Sequence, residues 1–269
     1  MEKKDYLAAI ERESNAFAGA AESTTGRVAP MVPSCPEWNM SDLVLHLGAV
    51  QRWVTKMVAE RLQEAASPYK DPSYLKLPAE YFPWMANKAP RETALPLFLV
   101  DWFKEGAATL VAALAEIDPD EPVWTWSDDH HARHWHRAQA VEAAVHRWDA
   151  QLAARGQAEP IEAELALDAI DWIFDVLFAS WAKNGKLRPG NGETFHLHRT
   201  DGPGEWLLTF APEGLQVRRE HAKGDIALRG TASDLLLFLY GRVGADKLEV
   251  FGNQELIPRY YELTGINGK

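Results

Sequence analysis

Glu142 and His146 are the pair in this sequence whose types and spacing first suggest chemistry. They stand four residues apart in HWHRAQAVEAAVHRWDA, so on a helix both project from one face, a turn apart, and could grip a single metal ion. Spacing alone fits a solvated, hydrogen-bonded pair more often than a ligand pair. His46 changes the weighing. It shares a helical stripe with Leu43, Leu47, Val50 and Trp53 and so faces inward, while Glu142 and His146 share their face with Trp135 and Ala138. A lone inward histidine is ordinarily a satisfied core residue, but three inward polar groups are costly to bury, and one shared cation would satisfy all of them. Two nitrogens and one oxygen would leave coordination positions open, as catalytic sites do, and zinc suits such a donor set. Asp149, three residues beyond His146, reads equally as a carboxylate that fixes a ligand imidazole or as a salt-bridge partner of Arg52, Arg147 or Arg155.

Other reactive types carry less. His130, His131, His134 and His136 crowd one short stretch, and adjacent histidines cannot all converge on one ion, so the expectation is a solvated loop and first helical turn, with His134 or His136 available to rim a pocket. Trp53, on the His46 stripe, is a further candidate contact. Arg229 and Arg242 could hold a substrate carboxylate, although a structural or surface role suits each of them singly. Cys35 precedes Pro36 with no basic partner nearby and is expected to pack rather than react. GKLRPGNG has no following Lys-Ser/Thr and fits a turn, not a phosphate cradle.

The elements that must position these residues come in two grammars. Apolar residues recur at helical spacing over about 4–25, from Asn39 to near Gln63, over 93–117 and over 132–155. The second of these starts with Asn39 as cap and Asp42 three residues on, and the fourth has Gly156 as its natural end. The four segments predict one four-helix bundle. Residues 22–36 read as a loop, and 66–91, rich in Pro, Tyr and Lys, as a long connection with short helical turns at most. After a further helix at about 162–183, FHLHRT, EWLLTF, LQVRRE and DIALRG are strand candidates, and ASDLLLFLYGR and GNQELIPRYYEL read as closing helices. The expectation is an α+β chain of two domains, 1–157 and 158–269.

Composition narrows the function classes. A formal net charge of −11 argues against nucleic acid as a partner. A single cysteine excludes an intrachain disulfide framework and any multi-Cys zinc site, so a metal here needs His and carboxylate ligands. No apolar run approaches the ~20 residues of a membrane span, and the N-terminal stretch MEKKDYLAAIERESNAF reads as an amphipathic helix, not a signal peptide. A soluble, cytoplasmic protein with no membrane partner is expected.

Three stretches then match a known family: SCPEWNMSDLVLHLGAV at 34–50, HWHRAQAVEAAVHRWDA at 134–150 and DIALRGTASDLLLFLYGR at 225–242. The chain resembles the mycothiol-dependent maleylpyruvate isomerase family over nearly its whole length. The resemblance implies a DinB-like metal-binding four-helix bundle followed by a small α+β domain likened to sterol carrier proteins. It implies metal ligands at His46, Glu142 and His146. It also implies a low-molecular-weight thiol, mycothiol or an analogue, as cosubstrate, ionised by the metal and acting as nucleophile on a small electrophile. An isomerase would release the thiol again, whereas an S-transferase would leave it attached. Trp53, His134, Arg229 and Arg242 are then candidate contacts for substrate or thiol. Two other readings stand beside this one: a zinc-dependent hydrolase of a small amide or ester, and a non-enzymatic carrier of an apolar ligand.

Overall fold

The computed structural model describes residues 1–67 and 71–266. The chain divides into two compact units, Met1–Glu159 and Pro160–Lys269. The first is helical and the second is α+β, the two-domain α+β architecture expected from the change in sequence pattern.

Four long helices build the first unit: α1 (Lys3–Glu22), α2 (Met40–Ala59), α4 (Leu97–Glu116) and α5 (Ala132–Arg155), with a short α3 (Phe82–Asn87) in the connection between α2 and α4. Helix α1 packs on α4 and α5, and α2 packs on the same two, so the four enclose one core. Leu43, Leu47, Leu99, Leu110 and Phe17 are completely buried in it. Each such side chain contributes about 1.5–3 kcal/mol of apolar burial. Gly48 sets how closely α2 and α4 approach, because a Cβ there would lie 2.3 Å from the Trp102 ring.

Helix α2 begins at a complete capping box. The Asn39 side chain accepts from the Ser41 and Asp42 N–H groups, and Asp42 accepts from the Asn39 N–H. Helix α5 ends at Gly156, whose φ of +72° suits a residue without a Cβ. Three of the four long helices end one to four residues short of the sequence expectation, at Glu22, Ala59 and Glu116.

One sequence expectation needs correction here. Residues 22–36, read as a loop, contain a small hairpin, β1 (Met31–Val32) pairing antiparallel with β2 (Cys35–Asn39). Its strands are too short for alternation to show, and Pro33 and Pro36 mimic a turn. The 66–91 connection holds 3₁₀ turns at Ser73–Leu75 and Ala79–Tyr81 as well as α3, while its residues 68–70 lie outside the described residues.

The second unit opens with α6 (Ala163–Trp172), which runs through a π-helical turn at Ile173–Leu177 into α7 (Phe178–Lys183). A five-stranded sheet follows in the order β5-β4-β3-β6-β7. Its strands are β3 (Glu193–Arg199), β4 (Glu205–Ala211), β5 (Gly214–Arg218), β6 (Ile226–Gly230) and β7 (Glu249–Gly252), and β3 runs parallel to β6 while the other pairs are antiparallel. Helices α8 (Ala232–Leu239) and α9 (Leu256–Thr264) close the unit. Alternation puts Phe195, Leu197, Trp206, Leu208 and Phe210 on one buried face, with Phe195 and Phe210 meeting Tyr260 of α9. Strand β7 was not foreseen from the sequence, because four mostly exposed residues at a sheet edge carry almost no pattern. Among the described residues no helix is long and apolar enough to cross a membrane.

Candidate metal centre

Packing of α2 against α5 brings the three polar side chains of the bundle together. His46, Glu142 and His146 each offer a donor atom, and these atoms all lie within 4.8 Å of one another. The capping box fixes where α2 begins and so places His46 two turns inside it. On α5, the small buried residues Ala138, Ala140, Ala143 and Ala144 let neighbouring helices come close.

His146 is held at both ends. Its Nε2 lies 3.3 Å from Glu142 Oε2 and its Nδ1 lies 3.0 Å from Asp149 Oδ2. Asp149 is fully buried, and the Ser34 hydroxyl, from the turn of the β1–β2 hairpin, donates to its other oxygen. Asp149 is placed to orient the imidazole: it binds Nδ1, which leaves Nε2 on the side of Glu142. Burial works against a charged His146, yet the Asp149 and Glu142 carboxylates outweigh it and push its pKa up to about 9. In electrostatic terms the centre is a pocket built for positive charge.

The hairpin supplies a residue that the sequence reading missed. The Trp38 ring centroid lies 4.8 Å from that of His46 and 6.4 Å from that of His146, and Lys88 Nζ sits over the Trp38 ring, 4.9 Å from its centroid. Nothing in the local pattern marks Trp38 except its place one residue before the Asn39 cap. A cavity of about 200 Å³ opens beside His46, lined by Trp38, Ala49, Trp84, Met85 and Lys88 among others. Lys88 has φ +70° and ψ 154°, a conformation that side-chain-bearing residues rarely adopt. The turn that imposes it is tied to the start of α2, because the Ala89 N–H donates to Asp42 Oδ1 at 2.7 Å and the Asn39 side chain reaches the Pro90 carbonyl.

The remaining candidate contacts stand elsewhere. Trp53, seven residues beyond His46, packs edge-on against Trp124 and Trp135 and donates to the Ala66 carbonyl. His134 is eight residues before Glu142 on α5, about 12 Å along the axis at 1.5 Å per residue. The expectation of a solvated histidine cluster is corrected for two of its members: His134 and His136 are buried, at 4% and 1% exposure. His134 bonds Ser127 and lies between the Trp126 and Trp135 rings, where burial pushes its pKa down to about 4. His136 spans the Ala132 and Leu114 carbonyls. In the second unit, Arg229 pairs with Glu249 and faces the Phe251 ring, and Arg242 donates to the Tyr240 carbonyl. Cys35 packs against the bundle core, as expected of a structural thiol.

Comparison with known proteins bears on both units. The family profile described as "Mycothiol maleylpyruvate isomerase N-terminal domain" matches residues 7–151, and the profile "MDMPI C-terminal domain" matches residues 164–259. Two crystal structures share the fold over 93% of this chain and 93% of theirs: a mycothiol-dependent maleylpyruvate isomerase, with a TM-score of 0.58, and its histidine-to-alanine variant, with 0.60. Both are 13% identical in sequence, so the likeness is one of fold. No curated protein sequence matches the chain.

Proposed function

The chain belongs to the mycothiol maleylpyruvate isomerase family, and from that premise we propose that it is a metal-dependent enzyme that uses a low-molecular-weight thiol to isomerise a small electrophile. The observation that carries this reading is the convergence of His46, Glu142 and His146 within 4.8 Å, with Asp149 bound to the far nitrogen of His146. The donor set fits a divalent ion of the zinc class: two imidazoles, one of them oriented by a buried carboxylate, and one carboxylate. When bound, the ion supplies the charge that keeps a thiol ionised near neutral pH.

The protein's own residues provide position and surroundings. Trp38 and Trp84 wall the cavity beside His46 with apolar surface, which thins out water around a thiolate and raises its reactivity. Lys88 brings one cation to the same cavity, suited to a substrate carboxylate. Its strained backbone, held by Asn39 and Asp42, keeps that charge at the cavity instead of letting it relax into solvent. For an unsaturated dicarboxylate such as maleylpyruvate, sulfur adds to the cis double bond and the electron pair moves onto the conjugated carbonyl. Rotation follows about the new single bond. The pair then returns, the C–S bond breaks, and the thiolate leaves with no net change of atoms or electrons.

The direct test is turnover of maleylpyruvate by zinc-loaded protein with and without mycothiol. Isomerisation that requires both zinc and thiol, and returns the thiol unconsumed, supports the reading. Stoichiometric loss of the thiol into a conjugate would make the enzyme an S-transferase, and thiol-independent hydrolysis of amides or esters would replace the reading altogether.

A further inference from the structure

The sheet of the second unit carries another convergence of donors, one that this function does not use. Strands β3 and β4 turn most of their large apolar side chains to one face, and the register that pairs His198 with Glu205 and His196 with Leu207 puts His196, His198 and Glu205 together on the other, beside the buried Leu207. His221, in the segment between β5 and β6, joins the same group. The Glu205 carboxylate is met by all three imidazoles: His196 Nε2 at 3.0 Å and His221 Nδ1 at 2.6 Å from Oε2, and His198 Nδ1 at 3.1 Å from Oε1. One donor atom from each of the four lies within 4.8 Å of all the others. The cluster is not a fringe of loose surface groups, since the His196 side chain is 7% exposed, Glu205 25% and His198 27%.

Each imidazole can donate an N–H to the carboxylate, so hydrogen bonds hold the cluster with its ring centroids 5.3–6.3 Å apart. The same donor set also suits a metal: three imidazoles and a carboxylate, brought together from β3, β4 and the β5–β6 segment, can each offer a lone pair to one divalent ion. Four-coordinate zinc with bonds of about 2.0–2.2 Å holds its donors about 3.3–3.5 Å apart. The separations of 3.0 and 3.1 Å fall a few tenths of an ångström short of that, and the 2.6 Å contact of His221 would open by about 0.7–0.9 Å, a movement open to its largely exposed side chain. Three nitrogens disfavour calcium and magnesium, which take oxygen ligands.

We propose that His196, His198, Glu205 and His221 form a second zinc-class site, closed by four protein ligands, that fastens the β5–β6 connection onto the sheet. A filled tetrahedron leaves no position for substrate, so the site is structural where the bundle centre is open. It stands on residues of the second unit alone and so is independent of the function proposed for the first.

The test is elemental analysis and cobalt spectroscopy on full-length protein, comparing wild type, His46→Ala/His146→Ala and each background with His221→Ala added. The His221 side chain is 78% exposed, so its removal spares the fold, and circular dichroism checks that it does. We expect the bundle double variant to keep one zinc per chain and its cobalt form to show the intense visible bands of tetrahedral nitrogen–oxygen coordination. Adding His221→Ala should lower that affinity at least tenfold and collapse the bands. Should the bundle double variant misfold, His221→Ala in the wild-type background should remove one equivalent of metal. Zinc should also slow tryptic cleavage after Lys223, and only while His221 is present. A folded bundle double variant that binds no zinc, or metal content and protection unmoved by His221→Ala, would overturn the proposal.

Discussion

At the scale of single residues, Asp149 and His134 show how one side chain takes opposite roles according to what surrounds it. Asp149 is buried without exposure, and its bond to His146 Nδ1 orients the imidazole of the candidate centre. Asp149→Asn keeps the volume but weakens that acceptor, and we expect metal affinity at the bundle centre to fall roughly 10–100-fold, measured by competition with a chromophoric chelator. Because the two carboxylates hold a proton on His146 up to about pH 9, the ion must displace it. Zinc binding at pH 7 should therefore release a proton, seen as a dependence of calorimetric heat on the ionisation enthalpy of the buffer. His134 is the reverse case. Its folded pKa of about 4 lies below the unfolded value of 6.5, so the unfolded chain takes up the proton first. The stability that a neutral His134 preserves is complete above about pH 6.5 and declines as pH falls toward 4, by on the order of 3 kcal/mol. Urea denaturation followed through the tryptophan fluorescence of the bundle, at pH 7 and at pH 4.5, measures it. Helical spacing in the sequence put Glu142 and His146 on one face of one helix and His46 on the inward face of another, and the family resemblance, not spacing, joined the three into one expected site. The sequence reading misplaced His134 because a run of polar types hides the tryptophans, Trp126 and Trp135, that bury it.

At the scale of elements, the start of α2 is where fold and site meet. Asn39 and Asp42 cap the helix that carries His46, and the same two side chains hold the turn that aims Lys88. Asn39→Ala should therefore cost about 1 kcal/mol of stability through the lost cap, and should raise KM for an anionic substrate by relaxing the turn. Steady-state kinetics alongside chemical denaturation separate the two effects. Two residues beyond His46, Gly48 lies against Trp102, and Gly48→Ala should destabilise the bundle by about 1–3 kcal/mol by forcing α2 and α4 apart. The capping box was legible in the sequence, as was the end of α5 at Gly156. The β1–β2 hairpin was not, and with it Trp38 and Ser34 stayed hidden: strands this short are defined by pairing with one another, which no local pattern records.

At the scale of the whole molecule, the two grammars of the sequence correspond to two units with separate cores, each with a cluster of metal-ligating side chains at its surface or heart. The bundle centre was partly legible because Glu142 and His146, its candidate ligands on α5, stand a four-residue step apart on one helix. The sheet cluster escaped because its members meet across strand register and a returning segment, with His221 sixteen residues from Glu205. An open centre in the bundle and a closed one on the sheet would divide labour, chemistry in the first and rigidity in the second. The claim on which the functional reading rests is that a thiol meets a metal held by His46, Glu142 and His146. The most direct measurement is a titration of the cobalt-loaded protein with mycothiol, read in the near ultraviolet. A sulfur-to-cobalt charge-transfer band should rise and saturate in the wild type and be missing from His46→Ala/His146→Ala. No band in folded, cobalt-loaded wild type, or an equal band in that variant, would contradict the account.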